Sequence, residues 1–214
     1  NTGRQYKMMK DHRTTVVHAT PSFLLHLHTK MEEEGYRLSD LALRRAFAGA
    51  EPYSEDTRRR IEQLWNIDVY NSYGLSEMNG PGVAFECQHK DGMHLWEDGY
   101  IAEIVNPDTL EPVSDGETGE LVLTILCREA MPILRYRTRD LTSFYTEPCP
   151  CGRTHRRIKR ITGRTDDMLI INGVNVFPSQ IEEVIMGIKE VGNNYLIQVD
   201  KDGALDRLTV KTEV

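Results

Sequence analysis

The sequence predicts an α/β fold that passes into a β-rich segment and then into the start of a small α+β domain. Three observations predict it. Between Thr15 and Tyr70, short β-branched or apolar runs alternate with capped helical stretches, the spacing of an α/β unit. After Tyr70 strand-like runs dominate, separated by turns such as Asn106-Pro107-Asp108 and Ser114-Asp115-Gly116. The run GRTDDMLIINGVNVFPSQIEE, Gly163 to Glu183, sets two short strands around Asn172-Gly173, a strong hairpin signal, and starts a helix at Pro178-Ser179.

Taken in order, residues 1–12 are a polar lead without a clean period. Thr15 to Thr20 reads as a strand, and Pro21-Ser22 opens a helix to about Lys30, closed by Met31 to Gly35 with the glycine as cap. Leu41 to Ala48 leads into Gly49-Ala50-Glu51-Pro52. Ser54 caps a helix to about Trp65, and Ile67 to Tyr70 is the next strand. Asn71 to Glu77 reads as a polar loop, and Leu95–Val105, Glu120–Leu126 and Ile133–Tyr136 read as strands. The β-rich segment closes near Ile161-Thr162, so the domains are expected at 1–165 and 166–214. In the second, Glu182 and Glu183 fall in or near the first helical turn, and Asn194–Val199 and Arg207–Val214 read as strands.

Composition narrows the function classes. Net charge is −7, with 39% hydrophobic and 28% charged residues, ordinary for a soluble globular chain. No apolar run approaches the roughly 20 residues of a membrane span, and no secretory signal is expected. Arg58-Arg59-Arg60 is flanked by Glu55, Asp56 and Glu62, which reads as a solvated helix face rather than a nucleic-acid patch. The four cysteines are expected as reduced thiols or metal ligands, in a cytoplasmic chain.

The run DDMLIINGVNVFPSQIEE resembles the hinge and first C-terminal hairpin of the acyl-adenylate-forming enzymes, the acyl-CoA synthetase class, in its phenylacetate–CoA ligase branch. The resemblance covers most of the chain from about Thr20. It implies the later part of the large adenylate-forming domain, α/β plus a β-rich subdomain, followed by the start of the small one. Gly49, Ala50, Glu51 and Pro52 match the segment bordering adenine. In Tyr73-Gly74-Leu75-Ser76-Glu77, Tyr73 would pack on adenine, Ser76 would lie near the phosphates, and Glu77 would hold the Mg²⁺ that accompanies ATP. In Arg135 to Asp140, Asp140 matches the aspartate that accepts the ribose hydroxyls. Arg164 is similar to the nucleotide-contacting arginine and Asp166 to the hinge residue. Gly173 would line the channel for the pantetheine arm of coenzyme A.

The reaction implied is ligation of an aryl acid, phenylacetate by resemblance, to coenzyme A through an acyl-adenylate made from ATP. An apolar wall for the aryl group is expected from Tyr73, Ala48 and Gly80-Pro81-Gly82. The family's phosphate-cradling loop and catalytic lysine have no counterpart in this sequence, so an internal piece of a ligase with little activity alone is expected. Self-association, for example as a homodimer, is expected of its uncovered apolar faces. The competing reading is a non-catalytic, zinc-stapled nucleotide-binding module. Cys87, His94, Cys149 and Cys151 form a candidate closed zinc site, with His89 and His155 as rival ligands and unliganded thiols as the alternative. His94 is preferred because it follows a glycine turn and opens a strand. Cys127 is expected to be a buried small hydrophobe.

Overall fold

The computed structural model describes residues 2–188, 190–192, 195–202 and 205–213. Its first part runs α1 (Thr2–Asp11), β1 (Val16–Ala19), α2 (Pro21–Glu33), β2 (Arg45–Gly49), α3 (Glu55–Trp65) and β3 (Asp68–Leu75). The helices start where the sequence caps them. Thr20 Oγ1 accepts from Phe23 N ahead of Pro21, and Ser54 Oγ accepts from Thr57 N. Gly35, at φ +75°, follows the end of α2. β1, β2 and β3 are parallel, as helical crossovers require.

β4 (Gly80–Glu86), β5 (Met93–Leu95) and β9 (Arg157–Ile158) extend these strands into a six-stranded sheet of order β1-β2-β3-β4-β5-β9. β6 (Tyr100–Val105), β7 (Gly119–Ile125), β8 (Tyr136–Thr142) and β10 (Gly163–Arg164) make a second, antiparallel sheet of order β10-β8-β7-β6. Two hairpins follow: β11 (Leu169–Ile171) with β12 (Val174–Val176), then, after α4 (Pro178–Met186), β13 (Tyr195–Asp202) with β14 (Leu205–Thr212). The first turns at Asn172 and Gly173, with φ +50° and +81°, the geometry of a two-residue Asn-Gly turn.

Two cores result. In the first, Leu24 and Met31 of α2 and Ile61 and Trp65 of α3 pack on Ala46, Ala48 and Val69. The alanines on β2 let the helices sit close, and Trp65 Nε1 donates to the Leu24 carbonyl at 3.0 Å. Phe47 alternates to the opposite face, beside Tyr70 and Phe85 at ring separations of 5.9 and 5.3 Å. The second core joins Met78, Val83, Leu95 and Ile158 to Leu121 and Leu123, and so binds the two sheets together.

Several expectations need correction. The polar lead is helix α1, whose buried residues Tyr6 and Met9 are too few to give a visible period. The polar loop after Tyr70 is strand up to Leu75, then a 3₁₀ turn at Ser76–Met78. The run Leu95–Val105 breaks into β5 and β6, and β8 begins where Ile133–Tyr136 was expected to end. Arg58 is 7% exposed and paired with Glu55 and Glu86, so only its neighbours Arg59 and Arg60 are solvated. Cys127 is exposed, two residues past the end of β7. Ala48 is in the first core, unavailable as a pocket wall. Glu182 and Glu183 lie beyond the first turn of α4. Asn194 and Val214, at the ends of the two expected last strands, lie outside the described residues.

A Cβ on Gly49 would lie 2.2 Å from the Ser72 carbonyl oxygen on the paired strand, a contact with backbone that cannot swing away. Gly49→Ala is expected to cost about 1–3 kcal/mol. Thermal unfolding should read that as a loss of several degrees, at about 2–4 °C per kcal/mol for a chain of this size.

Candidate functional site

The carboxyl ends of β1, β2 and β3 open on one side into a cleft of roughly 920 Å³, where an open α/β sheet ordinarily takes its ligand. Gly49, Ala50, Glu51 and Pro52 form one wall and Tyr73, Gly74, Ser76 and Glu77 another. Asp140 and Arg164 close it from the second sheet. Every expected nucleotide-contact residue therefore lines one cavity, although Gly49 and Arg164 stand 115 positions apart in the sequence. Gly80 and Pro81 also line it, but Gly173 does not. Asp166 sits outside the lining while its neighbour Asp167 is part of it.

Asp140 is the centre of a hydrogen-bonded chain. Tyr73 Oη donates to its Oδ2 at 2.5 Å and Arg164 Nη1 to its Oδ1 at 3.1 Å. The same guanidinium holds Asp166 through a fork, Nε to Oδ1 and Nη2 to Oδ2, each 2.9 Å. Strand pairing produces this: Arg164 of β10 is the direct cross-strand partner of Asp140 on β8. Burial pushes the Asp140 carboxyl up, opposed by Tyr73 and Arg164. Burial, then the Asp140 charge, pushes the Tyr73 phenol well above its usual range. The hydrogen bond from Arg164 holds Asp166 low.

Some side chains do other work than expected, and some went unnoticed. The Glu51 carboxylate turns away to the start of α2, accepting from Ser22 N at 2.6 Å and Ser22 Oγ at 3.0 Å. Arg160 lines the cleft, donating to the Tyr53 carbonyl at 3.0 Å with its guanidinium 4.9 Å from the Tyr53 ring centre. No local pattern marks it. Tyr136, inside the Arg135–Asp140 run, donates from Oη to Glu77 Oε1 at 3.1 Å.

Apart from the cleft, Cys87, His94, Cys149 and Cys151 converge, their ligand atoms all within 4.8 Å of one another. Cys87 Sγ and Cys149 Sγ are 3.6 Å apart, and Cys151 Sγ is 3.4 Å from His94 Nε2. Zn–S of about 2.3 Å and Zn–N of about 2.0 Å at tetrahedral angles require S···S near 3.8 Å and S···N near 3.5 Å, so the donor set fits zinc. His94 Nδ1 faces the His155 carbonyl at 3.3 Å, which holds the proton there and leaves Nε2 toward the sulfurs. His155 supplies that carbonyl, and its ring reaches Asp98 at 4.0 Å. Burial raises the Cys151 thiol, but hydrogen bonds from Arg153 and the other thiols outweigh it and bring it down to about 7.

Comparison with known proteins gives the following. Residues 1–124 match the AMP-binding enzyme family, and residues 173–214 match the AMP-binding enzyme C-terminal domain. The whole chain is 46% identical to a phenylacetate-coenzyme A ligase of Thermus thermophilus and 45% to one of Escherichia coli, in each case covering 48% of the relative. The chain thus spans about half the length of the curated relatives it matches. Among solved structures, 2-hydroxyisobutyryl-CoA ligase in its postadenylation state with 2-HIB-AMP is 29% identical, with a TM-score of 0.90 over 99% of this chain and 45% of that one. In its thioesterification state the same ligase scores 0.72, so the arrangement of parts is nearer the postadenylation one.

Removing the Tyr73 hydroxyl strips a buried carboxylate of one donor. Tyr73→Phe is expected to destabilise the chain at neutral pH by about 1.5–3 kcal/mol. That hydrogen bond favours the ionised form of Asp140, which burial already pushes up and which rises further in the variant, so the difference from wild type is full above the variant's value and fades as pH falls from there through the wild-type one. Denaturant titrations of both chains across that range check the direction.

Proposed function

The chain belongs to the AMP-binding enzyme family, and we infer that it is the nucleotide-holding part of an aryl-acid–CoA ligase of the phenylacetate type. The observation that carries this reading is the meeting of Tyr73, Glu77, Asp140 and Arg164 around one cleft in a chain 46% identical to such ligases. The reaction has two steps. The aryl carboxylate attacks the α-phosphorus of ATP and diphosphate leaves. The thiol of coenzyme A then attacks the acyl carbonyl of the adenylate and AMP leaves.

In this reading the Gly49–Pro52 wall and the Tyr73 ring hold adenine, and Asp140 accepts from the ribose hydroxyls. Both Asp140 oxygens already have donors, so the sugar joins or displaces Arg164 at a carboxylate that is fixed before it arrives. Ser76 lies on the phosphate side. Glu77 is exposed at the cleft rim with Oε1 engaged by Tyr136 and offers an oxygen for magnesium, as a hard cation requires. Magnesium bound there supplies charge neutralisation for the phosphates. The hinge lies at Asp166, dividing 1–165 from 166–214, and rotation there carries Gly173 toward the pantetheine channel. The Cys87, His94, Cys149, Cys151 cluster holds a structural zinc that ties the loop after β4 to the 149–152 turn. Reduced thiols of this kind fit a cytoplasmic protein, and exposed apolar side chains such as Trp96 and Leu134 fit self-association. No helix among the described residues is long and apolar enough to cross a membrane.

Calorimetric titration with AMP tests the nucleotide reading. Wild type is expected to bind, and Asp140→Ala to lose at least about tenfold, the worth of one charge-assisted hydrogen bond. Equal affinity in both chains overturns the ribose role. Metal analysis of the same preparation should find one zinc per chain, and chelation should lower the unfolding temperature. A metal-free chain of undiminished stability counts against the zinc site.

A further inference from the structure

Glu77 is an exposed side chain on a short turn, where a lone glutamate would sample several rotamers. It is held instead from three directions. Tyr100 Oη donates to the Met78 carbonyl at 2.7 Å, and the Met78 side chain is fully buried. Arg128 Nη1 donates to the Glu77 carbonyl at 2.6 Å. Tyr136 Oη donates to Glu77 Oε1 at 3.1 Å. The turn hangs from β3 of the six-stranded sheet, whereas these donors come from β6, from the connection between β7 and β8, and from β8. One sheet carries the carboxylate and the other aims it.

We propose that Tyr136, assisted by Arg128, is a positioning residue that presents the Glu77 carboxylate to the divalent cation of a bound nucleoside triphosphate. The inference rests on the reading of Glu77 as the magnesium-holding side chain. Its chemistry is specific. A phenol orients a carboxylate without cancelling its charge, and it occupies one oxygen, leaving Oε2 for a cation. The nearby guanidinium of Arg128 is directed to the Glu77 carbonyl, so its charge is kept off the carboxylate. Partners that orient a metal-binding side chain typically matter by about 10–100-fold in metal affinity.

The test is calorimetry of the chain with Mg–ATP and, separately, with AMP in EDTA, on wild type, Tyr136→Phe and Glu77→Gln. Magnesium should strengthen ATP binding in wild type. Tyr136→Phe should lose about tenfold in Mg–ATP affinity, with AMP affinity and unfolding temperature held. Glu77→Gln should lose the magnesium-dependent gain. A Tyr136→Phe chain that keeps the full gain while Glu77→Gln loses it overturns the positioning role and leaves the metal reading intact. An equal loss toward Mg–ATP and AMP in Tyr136→Phe marks a packing role and also overturns it. A Glu77→Gln chain that keeps the gain, or a wild type that shows none, overturns the metal reading and the proposal together.

Discussion

The hydrogen bond from Tyr73 to Asp140 joins side chains 67 positions apart and links the two sheets at the point where they face the cleft. Tyr73 lies on β3, the last of the parallel strands in the six-stranded sheet, and Asp140 lies in the antiparallel sheet. A carboxylate this buried is costly to ionise unless donors surround it. Arg164 supplies the other donor, and by doing so pins β10 to β8. Satisfying one charge therefore fixes three elements, and the cleft is the space left between them.

A second such arrangement lies beside Arg160 at the cleft. Glu86 accepts from Asn71 N at 2.7 Å and from Arg58 at 3.2 Å, and Arg160 approaches it at 4.0 Å. Arg160 also reaches Glu55 and the Tyr53 carbonyl at the start of α3. This charge cluster bolts the first helix-covered layer to the segment leading into β10. Breaking such a pair is expensive because it strands a charge, whereas the pair itself adds little net stability. Its contribution is to fix which surfaces meet.

How much of this was legible in the sequence depends on the range of each interaction. The helix start at Pro21, the cap at Ser54 and the Asn172-Gly173 turn are written within a few neighbouring residues, and the structure agrees with them, while the cap at Thr20 is seen only in the fold. The strand β8 was misjudged because its inward side chains are Thr138, Asp140 and Thr142, polar where a buried strand is normally apolar. Local rules fail in this way where chemistry has displaced packing. The residues of the cleft were recognised by family pattern, but their partners were not. Ser22 for Glu51, and Arg128 and Tyr136 for Glu77, all lie 29 or more positions away, with no local signature. The thiol cluster is legible because two of its cysteines are near neighbours, and the preference for His94, from its place after a glycine turn, agrees with the fold.

The Asn172-Gly173 turn also makes the chain a timekeeper. An asparagine followed by glycine is the pair most open to attack by the next backbone nitrogen on the side-chain amide, which expels ammonia and closes a cyclic imide that water then opens to an aspartyl or isoaspartyl residue. Here that amide is occupied: Asn172 Nδ2 donates to the Asp206 carbonyl at 2.9 Å, and Asp206 N donates to Asn172 Oδ1 at 2.7 Å. The clasp between the two hairpins restrains the amide while it holds. Once the amide is lost, a new carboxylate faces a carbonyl oxygen and the Asp206 carboxylate already bound to Asn172 N. Loss of the amide at this turn would first be felt as a parting of β11–β12 from β14.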